Sequence, residues 1–214
     1  MAEIISLPDG YMTAVSYLIV LDKMTVLIDP TAPTGRLPQG LPPIGLILAT
    51  HGHIDHIDRA DAWRDITGAG LSIHRLDSDC LTNPVRNLSA WLGGARSFRP
   101  AENTLEEAQI CVSDQAYQIE VWHTPGHTAG SCCFLLTQNE KAEALFTGDT
   151  LFCGSIGRTD LGGDDNQMNA SLKRLVRWAR NNHLTEESDL SVYPGHGAST
   201  SLLHEIRTNP FLKG

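Results

Sequence analysis

Short apolar runs divided by turn residues dominate the first fifty positions. Tyr17-Leu-Ile-Val-Leu21 and Met24-Thr-Val-Leu-Ile28 are β-branched and apolar, and Asp22-Lys23 between them fits a tight hairpin. Asp29-Pro30 ends the second run. From Thr31 to Pro43 the chain carries four prolines, which predicts an ordered surface loop rather than a helix. Ile44-Gly-Leu-Ile-Leu-Ala49 reads as a buried strand. A helical pattern follows over Ile57 to Thr67 and stops at Gly68. Asp77 to Pro100 reads as a short helix and a long loop.

The second half repeats this style. Tyr117 to His123 alternates apolar and polar residues, as a strand does, and Ser131 to Thr137 and Ala144 to Thr147 add two more. Met168, Leu172, Leu175, Val176 and Ala179 recur at helical spacing, so Gln167 to Arg180 is an amphipathic helix. Asp164 with Gln167 three residues on resembles a capping box at its start. A short strand around Val192 and a terminal helix over Leu202 to Arg207 close the chain. Strand groups alternate with helices and no flexible linker divides them. The expectation is one α/β domain over residues 1–214, with two packed sheets and outer helices.

Composition adds exclusions. The chain has 214 residues and a formal net charge of −9, from 25 acidic and 16 basic side chains. That charge repels phosphate backbones and anionic lipid, so neither nucleic acid nor membrane is expected as partner. No basic-then-apolar leader opens the sequence, and no apolar run reaches the roughly 18 residues that span a bilayer. A soluble cytoplasmic protein is expected. The five cysteines include no C-x-x-C pair, and Cys132 and Cys133, adjacent on a strand, point to opposite faces. Reduced, mostly buried thiols are expected.

The chemistry concentrates in Thr50-His51-Gly52-His53-Ile54-Asp55-His56. Four donors within six residues, directly after a buried strand, cannot all pack as core residues. His51 and His53 can project from an extended turn toward one cation, and Asp55 and His56 can face a neighbouring one. Imidazole and carboxylate donors suit zinc, iron or manganese, and the lack of cysteine ligands disfavours a closed structural zinc site. Three further elements share one plan, in which a strand leads to a Gly-containing turn and then a single donor. They are Thr124-Pro-Gly-His127, Phe146-Thr-Gly-Asp149 and Tyr193-Pro-Gly-His196.

The His-Gly-His-Ile-Asp-His run followed by His127, Asp149 and His196 resembles the metallo-β-lactamase superfamily, over about Tyr17 to Leu212. The resemblance implies an αββα four-layer sandwich and a two-metal centre. One metal would take His51, His53 and His127, the other Asp55, His56 and His196, and Asp149 would bridge them. Gly148-Asp-Thr-Leu-Phe-Cys-Gly-Ser-Ile-Gly-Arg-Thr-Asp-Leu161, with Tyr193-Pro-Gly-His-Gly197, Thr200 and Asn209-Pro-Phe-Leu212, is similar to compact single-domain bacterial glyoxalase II enzymes, which are hydroxyacylglutathione hydrolases. That likeness implies a cytoplasmic thioesterase holding two divalent ions, zinc foremost with iron or manganese as alternatives. Its substrate would be S-D-lactoylglutathione or a related glutathione-linked hydroxyacyl thioester, attacked by a metal-bridging hydroxide. Asp55 or Asp149 would orient that hydroxide, and Arg158 would contact a glutathione carboxylate. An ion pair of Arg158 with Asp160 is the structural alternative, and Asp160 is also a candidate acceptor for a ligating histidine. Two other activities stay open: a persulfide dioxygenase with one iron on His51, His127 and Asp149, and a lactonase or other small-molecule hydrolase. His123 is read as a supporting or packing residue, and the four tryptophans as core.

Overall fold

The computed structural model describes residues 2–8, 10–113 and 116–213. The chain forms two compact units, Met1–Glu106 and Glu107–Gly214, each built on its own six-stranded sheet.

In the first unit the sheet runs β1 (Glu3–Leu7), β2 (Ser16–Val20), β3 (Thr25–Ile28), β4 (Ile44–Ala49), β5 (Gly70–His74) and β6 (Asn103–Leu105) in spatial order. The first three strands pair antiparallel, and the hairpin at Asp22-Lys23 is closed by the Leu21 N–H on the Met24 carbonyl at 2.9 Å. The last three add in parallel, each reached by a crossover. Leu18, Leu27, Ile47 and Leu71 form a core with Ala60 and Trp63, and the intervening Tyr17, Ile19, Val26 and Ile28 are buried too. Strands buried on both faces read as continuous apolar runs, which is why β2 to β4 stand out in the sequence.

The expected helix over 57–67 is interrupted. A single turn, α1 (Ile54–Ile57), is followed by α2 (Ala60–Thr67), which ends at Gly68 as expected. The break has a tertiary cause: the Arg59 N–H donates to the Pro30 carbonyl at 3.0 Å instead of continuing the helical ladder. Residues 77–100 hold two 3-10 turns, Ser78–Leu81 and Ser89–Trp91, and no α-helix. Trp91 is 74% exposed, so it is not core, whereas Trp63 and Trp122 are buried. The proline-rich segment is a loop with one 3-10 turn at Thr34–Arg36.

The second unit orders its strands β12-β11-β10-β9-β8-β7, namely β7 (Ile110–Ser113), β8 (Tyr117–His123), β9 (Cys132–Gln138), β10 (Lys141–Gly148), β11 (Ser191–Pro194) and β12 (Thr200–Ser201). Strands β7 to β10 form an antiparallel meander. The helix α3 (Asp165–Asn181) then carries the chain across to β11, parallel to β10. Its Met168, Leu172, Leu175, Val176 and Ala179 pack with Leu145, Val192 and Leu202. Asp164 caps α3 by accepting the Gln167 N–H at 2.8 Å. The terminal helix α4 (Leu202–Thr208) ends at Asn209, which caps a 3-10 turn at Pro210–Leu212. Among the described residues no helix is long and apolar enough to cross a membrane. Among the described residues the cysteines form no disulfide, with Cys80, Cys132 and Cys133 buried, Cys111 half-buried and Cys153 exposed.

Candidate metal centre

In the first unit the donors sit where β4 gives way to α1. The chain bends at Thr50 and His51, passes through an extended His53, and enters the single helical turn that carries Asp55 and His56. Gly52 is required by close approach, because a Cβ there would lie 2.4 Å from the Cys80 Cβ. Its N–H donates to Asp77 Oδ2 at 3.0 Å, which fixes the turn against the 78–81 segment. The rings of His51 and His53 meet edge to face with centres 4.8 Å apart, and those of His51 and His56 are tilted at 50° with centres 4.1 Å apart. In each of the pairs His51–His53, His51–His56 and Asp55–His56, one donor atom lies within 4.8 Å of its partner. His51, His53 and His56 are buried and Asp55 is partly exposed.

Asp29 organises this cluster, and the sequence pattern gave it no more than the role of ending a strand. Its backbone has φ of +52°, a left-handed conformation that aspartate tolerates better than most residues. Oδ1 accepts the Thr50 N–H at 2.7 Å. Oδ2 accepts the Thr50 hydroxyl at 2.9 Å and the His56 Nδ1–H at 2.8 Å. Because the Thr50 hydroxyl donates to Asp29, its oxygen accepts from His51 Nδ1, 3.1 Å away. Both imidazoles are thereby held as Nδ1–H tautomers, with their Nε2 lone pairs directed away from Asp29. A carboxylate behind a ligating histidine raises its basicity and fixes its plane.

The second unit presents His127, Asp149 and His196 from three strand ends. His127 follows Gly126, whose φ of +146° and 2.4 Å separation between a would-be Cβ and the Met168 Cα admit no side chain. The His127 Nδ1–H donates to the Arg158 carbonyl at 2.6 Å, since a carbonyl can only accept. His127 Nε2 then turns its lone pair toward Asp149 Oδ2 at 3.4 Å, and His196 Nε2 lies 3.8 Å from Asp149 Oδ1. In the first unit His56 Nε2 similarly faces Asp55 Oδ2 at 3.9 Å. Two acceptors this close repel unless a cation or a proton lies with them. Nitrogen and carboxylate donors that are pre-set as acceptors fit a divalent metal of the zinc, iron or manganese type.

Arg158 contributes its backbone to His127 and its side chain to a bidentate pair with Asp160, both contacts at 2.6 Å. The guanidinium holds the Asp160 carboxyl below its ordinary range, and both groups stand exposed. The pairing is therefore the one offered as the structural alternative, and His127 has the Arg158 carbonyl rather than Asp160 as its acceptor. The His123 Nε2–H donates to the Ala129 carbonyl, 2.8 Å away, a packing role.

The pattern of the metallo-β-lactamase superfamily matches residues 10–196, and the chain belongs to that superfamily. It has the mixed α/β metallo-β-lactamase fold and is a metallo-hydrolase. An uncharacterized protein of Mycobacterium tuberculosis is 38% identical over 78% of this chain and 75% of its own. The hydroxyacylglutathione hydrolase GloC of Haemophilus influenzae is 32% identical, over 89% of this chain and 88% of its own. Among solved structures, the B3 metallo-β-lactamase BLEG-1 is similar with a TM-score of 0.85 and 33% identity, covering 99% of this chain and 100% of that one. The di-iron-bound form of TTHA1623 is similar with a TM-score of 0.75 and 32% identity, at the same coverages.

Proposed function

We propose that His51, His53, Asp55, His56, His127, Asp149 and His196 hold two divalent cations and that the protein hydrolyses a glutathione-linked hydroxyacyl thioester. The observation that carries the metal reading is the fixing of tautomers. His51, His56 and His127 each commit Nδ1–H to an oxygen and keep Nε2 as an acceptor. Paired divalent ions, when bound, lower the pKa of a water toward neutrality and stabilise the oxyanion of a carbonyl under attack. The chain supplies the rest. Asp55 or Asp149 accepts the proton of the attacking nucleophile in a hydrogen bond and so aims its lone pair at the carbonyl carbon. A thiolate is a weak enough base to leave without a general acid.

The substrate class rests on the Gly148–Leu161 and Tyr193–Leu212 stretches and on the likeness to the Haemophilus hydroxyacylglutathione hydrolase. Arg158 exchanges Asp160 for a glutathione carboxylate, since both offer the paired oxygens that a guanidinium fork binds. Zinc is the first choice of metal, and the di-iron neighbour keeps iron in view. The likeness to a B3 β-lactamase favours a β-lactam as the second reading.

The test is the loss of thioester absorbance from S-D-lactoylglutathione with protein loaded with zinc, iron or manganese, beside a His53→Ala variant and a chromogenic cephalosporin. Thioester turnover that disappears in the variant supports the proposal. Cephalosporin turnover alone would replace it with the second reading. Oxygen uptake with glutathione persulfide, and no hydrolysis, would move the chain to dioxygenase chemistry.

A further inference from the structure

The carboxyl-terminal Glu205 and Asn209 are both fully buried, and neither belongs to the donor set. Glu205 Oε2 accepts the Gly154 N–H at 2.9 Å and one Asn209 Nδ2–H at 2.8 Å, and its Oε1 accepts the Thr200 hydroxyl at 2.7 Å. Asn209 has a second amide proton, and it goes to the Ser155 carbonyl at 3.0 Å, with the Phe152 carbonyl at 3.4 Å beside it. Asn209 Oδ1 in turn accepts the Phe211 N–H at 3.0 Å. A buried carboxylate without a cation is costly unless donors surround it, and here three neutral donors do so.

These bonds converge on the segments that carry the second unit's donors. Gly154, Ser155 and Phe152 lie in the loop that leaves Asp149. Farther along, that same loop supplies the Arg158 carbonyl to His127. Phe152 packs edge to face on His196, ring centres 5.9 Å apart. Thr200 stands four residues after His196 and is tied to the same carboxylate. Three donors on three strand ends thus share one anchor on α4.

We infer that Glu205 and Asn209 are positioning residues, which act through the 150–158 loop to set the His127 tautomer and the ring plane of His196. The inference rests on the proposed metal role of these histidines but not on the substrate. The expectation for Asn209→Ala is a folded protein whose metal affinity falls roughly 10- to 100-fold, the usual effect of removing support behind a ligand. Glu205→Gln should restore near-normal affinity, because its Oε1 can accept from Gly154 and Asn209 while its Nε2 donates to the Thr200 oxygen.

Two measurements test this: metal competition with a chromogenic chelator, and the imidazole Nδ1–H resonance of His127 in metal-free, isotope-labelled protein. Thr67→Ala, which removes a helix-end bond to the Trp63 carbonyl in the first unit, serves as the stability control. Loss of the His127 resonance and of affinity in Asn209→Ala, with both kept in Glu205→Gln and Thr67→Ala, supports the inference. If Asn209→Ala does not fold, Thr200→Val removes a single bond to Glu205, and a several-fold loss of affinity is expected. An unchanged resonance and affinity in Asn209→Ala, or in Thr200→Val where Asn209→Ala does not fold, overturns the inference. The resonance is read without metal or substrate, so failure of the thioester assignment leaves this result standing and separately visible.

Discussion

The Nδ1–H of His56 donates to Oδ2 of Asp29 across 2.8 Å, joining the end of β3 to the start of α1. The same carboxylate reaches His51 through the Thr50 hydroxyl. One aspartate outside the His-x-His-x-Asp-His run therefore decides which nitrogen two of its histidines present.

Asp29→Asn tests that relationship with little change of shape, because asparagine also tolerates a φ of +52°. It offers one acceptor oxygen where three donors now share two. Metal affinity is expected to drop roughly 10- to 100-fold, while the metal-free protein stays folded by circular dichroism. Unchanged affinity in a competition titration would remove Asp29 from the account.

How much of this was readable beforehand follows from distance along the chain. The cluster 51–56 was legible because four donors fall within six residues, and α3 because its apolar stripe repeats over about three turns. Asp29 was not, since Asp-Pro after a strand reads as a terminator and its partners lie 21 and 27 residues away. The Arg158 carbonyl leaves no mark at all, being a backbone group. Glu205 reads as an ordinary charge on a short helix, and its burial depends on Gly154 and Thr200. The break between α1 and α2 needs the Pro30 carbonyl, which no local pattern reveals.

Gly126→Ala should be strongly disruptive in the second unit. The added methyl meets the Met168 backbone, and φ of +146° strains any L residue. Strain and overpacking together predict a loss of about 3 kcal/mol or more. For a chain of this size that lowers the melting temperature by roughly 6–12 °C. A melt within 2 °C of the parent, an allowance of about 1 kcal/mol, would show that the turn relaxes freely.

Arg158→Ala removes an exposed ion pair, so the melting temperature is expected to hold. If the guanidinium binds a glutathione carboxylate, KM for the thioester rises about tenfold while kcat changes little, the mark of binding lost equally from ground and transition states. Steady-state kinetics would decide it. An unchanged KM would assign Arg158 to its backbone role alone.

Thiol labelling at pH 8 should modify Cys153 first, because it is exposed. Burial pushes the Cys80 thiol up to about 12, and those of Cys111 and Cys133 up to about 11, so few thiolates exist there at that pH. Peptide mass spectrometry after brief alkylation should find Cys153 alone, and all five cysteines after unfolding. Early modification of Cys80 would indicate that the 78–81 segment opens away from Gly52.

The most direct test of the central claim is a metal titration of the apoprotein, followed by turnover of S-D-lactoylglutathione. The seven donors predict activity that climbs to a plateau at two equivalents of divalent metal per chain. A plateau at one equivalent, or no turnover with any of zinc, iron and manganese, would contradict a two-metal thioesterase.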